Sequence, residues 1–260
     1  MSLIESASVD ELAVRFPRHP GWLRHCLAAE PLLSHAALAK AADAMPPQLV
    51  ERCVHKPGTG AEWRQSETAS HAAEATAAGG AEQERIILRG VEHLPEYRAL
   101  LHRLVDELAP MIAATTGPAC DIKGVVSLSP PGTRTPFHFD AEYTILFQIA
   151  GTRIFAAFPP APPYLDLRAR EAYHRSGKTM LAWDRRWAGS AKRSGFCETF
   201  WSVFAPGDII RRLGQSGKRP FRSGRIDAIG AGPLWPLIAL PFRTHEPHAA
   251  LPWERRTEAA

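Results

Sequence analysis

Hydrophobic and polar positions divide the chain into a helical first part and a strand-rich second part. In residues 95–114 the side chains Leu100, Leu101, Leu104, Leu108 and Ile112 recur at helical spacing and predict a long amphipathic helix. Ala28 to Met45 has a helical pattern that Pro46-Pro47 stops. Residues 56–82, small and polar up to Gly79-Gly80, read as a loop holding a short helical piece. Ile86-Ile87-Leu88 is a short strand candidate. From Asp121 onward the texture changes. Val125 to Ser129, Phe137 to Leu146, Thr152 to Phe158 and Trp201 to Phe204 read as strands, with a turn at Pro130-Pro131-Gly132 and a break at Ala150-Gly151. Residues 165–195 are charged and partly helical. Ile209 to Leu240, dense in Gly, Pro and Arg, reads as poor strand. Helices first and short strands after predict a β-sandwich or barrel with an N-terminal helical addition.

Composition adds bounds. The chain has 260 residues and a hydrophobic fraction of 45%, enough to bury a sizeable core. A net charge of +4 favours acidic partners only weakly. Arginines gather late, at Arg185, Arg186, Arg193, Arg211, Arg212, Arg219, Arg222 and Arg225. They read as a solvated basic face before a nucleic-acid patch. The four cysteines are widely spaced without a C-x-x-C pair, which argues against a zinc ribbon or redox dithiol. No stretch reads as a signal peptide or membrane span, so the expected location is cytoplasmic.

The chemistry concentrates in Thr135-Pro136-Phe137-His138-Phe139-Asp140. On a strand, side chains alternate faces, so His138 and Asp140 point the same way. An imidazole and a carboxylate on one face are two-thirds of the 2-His-1-carboxylate triad that holds non-haem Fe(II). An oxygenase of that kind also binds an organic acid beside the metal. Arg153, one strand on, offers a forked cation for its far carboxylate, and Thr135 offers a hydroxyl. The bland reading of H-x-D alone is a structural pair in which Asp140 orients a buried imidazole.

The run continues in register through Gln148, Gly151, Arg153 and Phe158-Pro159-Pro160. As a whole it resembles the cupin-like JmjC hydroxylases, a family that includes the asparaginyl hydroxylase acting on hypoxia-inducible factor. Residues 86–160 are most similar to small bacterial cupin-like members, with Glu96-Tyr97-Arg98 opening the long helix. Ala205-Pro206-Gly207-Asp208 and Phe242-Arg243-Thr244 match further landmarks.

The resemblance implies a mainly β fold with α, a double-stranded β-helix (jelly-roll, cupin/JmjC-like) core over 120–245, with N-terminal helices packed on one sheet. It divides the chain into an N-terminal helical region with a polar loop (1–85), a cupin-like JmjC domain (86–245) and a tail (246–260). It implies Fe(II) held by His138 and Asp140, and 2-oxoglutarate held by Thr135 and Arg153. Arg153 stands where the family usually has Lys, and Thr144 where many members have Asn. The implied activity is Fe(II)- and 2-oxoglutarate-dependent hydroxylation of a protein side chain or a small molecule.

One departure is serious. The family has a Pro-His pair after the Pro-Gly-Asp turn, and Ile209 to Leu240 contains no histidine. A local reading-frame disruption ranks first as the explanation. Loss of the ligand, leaving a non-catalytic cupin-like binding or regulatory protein, and replacement by His245 or His248 are the others. Away from the motif, Tyr143 and Phe155 read as core, and Gln148 and Gly151 as turn and packing residues as easily as functional ones. His25, His71 and His174 read as exposed. Trp183, Trp187 and Trp201 are candidates for a substrate groove, a lid or a homodimer contact.

Overall fold

A computed structural model describes residues 2–17, 19, 21–55, 64–65, 83–129, 135, 137–151, 153–189, 192–196, 200–204, 209–212 and 235–244. Four α-helices are present among them: α1 (Ser6–Ala13), α2 (His35–Ala44), α3 (Pro95–Thr116) and α4 (Leu167–Ser176). The strands are β1 (Gly21–Arg24), β2 (Val50–His55), β3 (Arg64–Gln65), β4 (Gln83–Arg89), β5 (Ala119–Cys120), β6 (Val125–Ser129), β7 (His138–Phe139), β8 (Tyr143–Gln148), β9 (Arg153–Phe158), β10 (Lys192–Phe196), β11 (Phe200–Phe204), β12 (Ile209–Arg212) and β13 (Trp235–Thr244).

Two antiparallel sheets result. The larger runs β1-β11-β8-β13-β6-β4-β2-β3, with β5 attached to β13; the smaller runs β10-β9-β12-β7. Consecutive strands often lie in different sheets, β7 in the small one, β8 in the large and β9 back in the small.

The long helix begins with Pro95 at its first position, where a missing N–H costs nothing, and ends at Gly117 with φ 77°. Leu100, Leu101, Leu104, Leu108 and Ile112 form its buried stripe. They meet Leu12 of α1, Leu38 of α2 and the large-sheet residues Leu23, Leu88, Val126, Ile145, Phe147 and Leu240 in one core. Glu107 ties the chain's start to α3, its carboxylate accepting from the N–H of Leu3 at 2.9 Å and of Ile4 at 2.8 Å.

The second helical expectation is met over a shorter range. Leu27–Ala29 and Pro31–Leu33 form 3₁₀ turns, and α2 starts only at His35, where the Ser34 side chain accepts from the Ala37 N–H. Pro31 and the Ser34 cap set that later start. The loop expected at 56–82 lies outside the described residues apart from β3.

Two strand expectations need correction. The run from Phe137 is split, with β7 and β8 separated by Asp140-Ala141-Glu142, so the chain passes from one sheet to the other. Ile209 to Leu240 is not uniformly poor strand: β12 inserts between β7 and β9, and β13 lies between β8 and β6. Pro236 stands opposite Leu128 and Pro241 opposite Thr144, positions that lack a ladder N–H. Neighbours on both sides override the weak local preference, the usual way context outweighs β-propensity. Residues 213–234 lie outside the described ones.

Candidate metal centre

Strand alternation sorts the small sheet into two faces. Phe137, Phe139, Ala156 and Phe158 enter a second core with Leu165, Tyr164, Tyr173, Trp183 and Trp187. Phe137 stacks edge-on to Phe158 with ring centroids 5.5 Å apart and to Trp183 at 5.3 Å. This aromatic anchoring fixes β7 and turns His138 to the other face.

β7 is held on both flanks. Ile210 of β12 is opposite His138 on one side. On the other, Met180 forms a bridge with His138, the Phe139 N–H donates to the Thr179 carbonyl at 3.2 Å, and the Leu181 N–H donates to the Phe137 carbonyl at 2.8 Å.

His138 Nε2 and Asp140 Oδ1 lie 3.7 Å apart, with side chains 20% and 23% exposed. Burial pushes the Asp140 carboxyl above the usual carboxylate range, while the His138 imidazole and a hydrogen bond from Thr144 pull it down and Glu142 pushes it up. Thr144 lies on β8, on the strand face opposite Tyr143, Ile145 and Phe147, which point into the main core. The link therefore runs from the Asp140 connection to the large sheet.

The other expected residues are placed less closely. Thr135 is half-buried on the approach to β7. Arg153 opens β9 opposite Phe196. Its position shares a strand face with Phe155 and Ala157, and Ala157 is in register with Ile210 and hence His138. Four residues of strand put position 153 about 13 Å along from that row. Gln148 is buried, with its side-chain amide donating to the Ala150 carbonyl, and Gly151 takes φ 72° in the turn after β8. Tyr143 joins the main core, and Phe155 is buried outside both cores.

Among the described residues, no cluster of three or more His, Cys, Asp or Glu could hold a metal. His245 and His248 lie outside the described residues, as does His71.

The reading of one outlying residue changes. His25 is buried, not exposed: it continues the alternation of β1 beyond Arg24, pairs with Ile4 and sets its ring edge-on to Phe147 at 5.6 Å. Trp183 and Trp187 are half-buried and stack on the second core. Arg185 and Arg186 are exposed, as a solvated basic face requires, and Arg186 pairs with Asp184 at 2.6 Å. His174 is exposed as expected.

No family model and no curated protein matches the sequence. Solved structures do match. The X-ray structure of Escherichia coli YcfD matches with a TM-score of 0.54 at 14% identity, over 90% of this chain and 52% of that one.

This chain shares the fold of YcfD.

A second structure of the E. coli ribosomal oxygenase YcfD has a TM-score of 0.49 at 14% identity, over 90% of this chain and 51% of its own. YcfD in complex with cobalt and 2-oxoglutarate has a TM-score of 0.49 at 13%, again over 90% and 51%. These neighbours are JmjC-type, cupin-like folds, as the sequence resemblance implied. The chain spans about half the length of the solved structures it matches. No described helix is long and apolar enough to cross a membrane.

Two features escaped the sequence reading. Thr144 was read only as a departure from Asn, yet its hydroxyl bonds Asp140; its position four residues past Asp140, at the start of the next strand, was the available signal. The pairing of Met180 with His138 closes a long loop, and no local pattern announces it.

Proposed function

We propose that this chain is an Fe(II)- and 2-oxoglutarate-dependent oxygenase of the cupin-like JmjC type, its two sheets forming a double-stranded β-helix around the site. The observation that carries the reading is the His138–Asp140 pair, a nitrogen and an oxygen donor 3.7 Å apart on one side of β7. The donor chemistry fits: Fe(II) takes a neutral imidazole and an ionised carboxylate. A cation there would also hold ionised a carboxyl that burial otherwise pushes toward its neutral form.

The roles follow from the residues. His138 and Asp140 would hold the metal, which when bound supplies O₂ activation. Thr144 orients Asp140 by hydrogen bonding a carboxylate oxygen, the supporting contact that ligating carboxylates need. Phe137 and Phe139, locked in the second core, keep the imidazole from turning outward. Arg153 and Thr135 would take the far carboxylate of 2-oxoglutarate through a forked cation and a hydroxyl. The third metal ligand would come from beyond the described residues, with His245 and His248 as the candidates. The substrate would be a protein side chain or a small molecule, in the cytoplasm.

Conversion of 2-oxoglutarate to succinate tests the reading. Succinate that needs Fe(II) and vanishes in His138→Ala supports it. A folded, metal-loaded chain that forms none belongs to the non-catalytic cupin-like binding class.

A further inference from the structure

We propose that the layer covering the small sheet, α4 with the 3₁₀ turn Arg185–Gly189, is a docking surface for single-stranded nucleic acid, held through its phosphates. The inference needs neither metal nor co-substrate and is independent of the oxygenase reading above.

The helix and the turn form one layer because both sit on β7. Phe137 and Phe139 share the face of that strand that enters the second core, about 7 Å apart along the chain. Tyr173 of α4 lies edge-on to Phe139 with ring centroids 5.9 Å apart, and Trp187 of the turn packs on Phe137 at 5.6 Å. With the aromatic side turned down, the charged side faces solvent. Helical spacing puts Ala169 and Tyr173 on the packed side of α4 and Arg168, Glu171 and Arg175 on the other, where all three are exposed. Lys178, just past the helix, and Arg185 and Arg186 on the turn are exposed too.

The charge of this layer is one-sided. Residues 165–187 hold six Arg or Lys against three Asp or Glu, in a chain whose net charge is +4. Two of the acids are engaged locally: Asp166 caps α4 by accepting from the Ala169 N–H at 2.8 Å, and Asp184 takes Arg186 at 2.6 Å. Glu171 lies 4.0 Å from Arg175, an exposed pair of a kind that contributes little. Arg170 turns back to the Pro160 carbonyl. Arg168, Lys178 and Arg185 make no ion pair among the described residues. Arginine forks match phosphate oxygens two at a time. A protein partner would need a buried apolar anchor. Of the two large apolar side chains exposed nearby, Met180 is paired with His138 and alternates with Leu181 of the second core, so it turns to the opposite face and leaves Leu167 alone. Phosphates need only the cations, and a flexible single strand can follow them from helix to turn.

Fluorescence anisotropy on the full chain tests this, with a fluorescein-labelled oligouridylate about 12 nucleotides long, within the lengths such surfaces cover, between about 50 and 200 mM salt. The expected result is binding whose log affinity falls with log salt at a slope of about −2 to −3.5, from about three to five cations at roughly 0.7 each. Arg168→Gln on the helix and Arg185→Gln on the turn should each weaken binding and lessen the slope by about 0.7, and the double variant by about 1.4. Both side chains are exposed, so circular dichroism should be unchanged. No binding by the unaltered chain at the lowest salt makes this a merely solvated face and overturns the inference. Binding that either single variant leaves unchanged places the phosphates on other cations and also overturns it. A polyglutamate peptide of matching charge that competes as well as unlabelled oligouridylate assigns the surface to an acidic protein and overturns it too.

Discussion

Thr144 on β8 hydrogen-bonds the carboxylate of Asp140, which follows β7, and so joins a residue of the large sheet to one side of the candidate metal centre. The orientation of Asp140 is therefore set by both sheets. Replacing Thr144 with Val keeps a β-branched side chain and removes the hydroxyl. The Asp140 carboxyl should then move further up, and Fe(II) or Mn(II) should bind about 10-fold more weakly, the usual cost of losing a partner to a ligating group. Calorimetric titration of both proteins checks this. Equal affinity would show that the hydroxyl does not support the site.

His25 makes stability depend on pH. Burial pushes its pKa down to about 4, with the Gln148 backbone pulling weakly the other way, while Nδ1 accepts from the Leu27 N–H at 3.1 Å. The unfolded residue titrates near 6.5. Between these values the unfolded chain binds the extra proton, so stability rises with pH there. The contribution is complete above about pH 6.5 and is lost as pH falls toward 4, by up to about 3 kcal/mol. Urea unfolding across this window should show the slope, and His25→Leu should flatten it. An unchanged slope in the variant would place the effect elsewhere.

Leu104 is completely buried where α3 meets the large sheet. Leu104→Ala should cost about 2–5 kcal/mol, as cavities in a packed core do. Chemical denaturation followed by far-UV circular dichroism measures it. A loss well under 1 kcal/mol would mean that α3 does not sit on the core as described.

Tyr97 ties α3 to the distant 3₁₀ turn Pro31–Leu33, its hydroxyl donating to the Leu32 carbonyl at 2.7 Å. Tyr97→Phe leaves that carbonyl without this donor and should cost about 1–3 kcal/mol. Burial also raises the phenol to about 12, so its contribution is intact below pH 10 and is lost as pH rises through 12. Alkaline unfolding should therefore be less steep in the variant.

Much of this architecture was legible in the sequence where one element carries its own pattern. The Leu100–Leu104–Leu108 stripe predicted α3, and Ile86-Ile87-Leu88, Val125 to Ser129 and Thr152 to Phe158 predicted β4, β6 and β9. The likeness of fold to YcfD agrees with the family resemblance of the His138 stretch. What escaped depends on distant partners. Asp140-Ala141-Glu142 lies between two aromatic stretches, Phe137 to Phe139 and Tyr143 to Phe147, so the run reads as one strand, but the chain there crosses between sheets. His25 stands between Arg24 and Cys26, which says little about burial, but the bridge to Ile4 and the ring of Phe147 bury it. Pro236 and Pro241 argue against strand locally, but strands on both sides of β13 hold it in line. The pairing of His138 and Asp140 followed from the period of a strand; the bond from Thr144 required knowing where the next strand lies.

The central claim is that His138 and Asp140 hold iron with 2-oxoglutarate chelated to it. An anaerobic titration of the purified chain with Fe(II) and 2-oxoglutarate, followed by visible absorption, tests it most directly. The account predicts a weak metal-to-ligand charge-transfer band that saturates with Fe(II) and disappears in His138→Ala. A folded protein that gives no band, or a band that survives in His138→Ala, would contradict it.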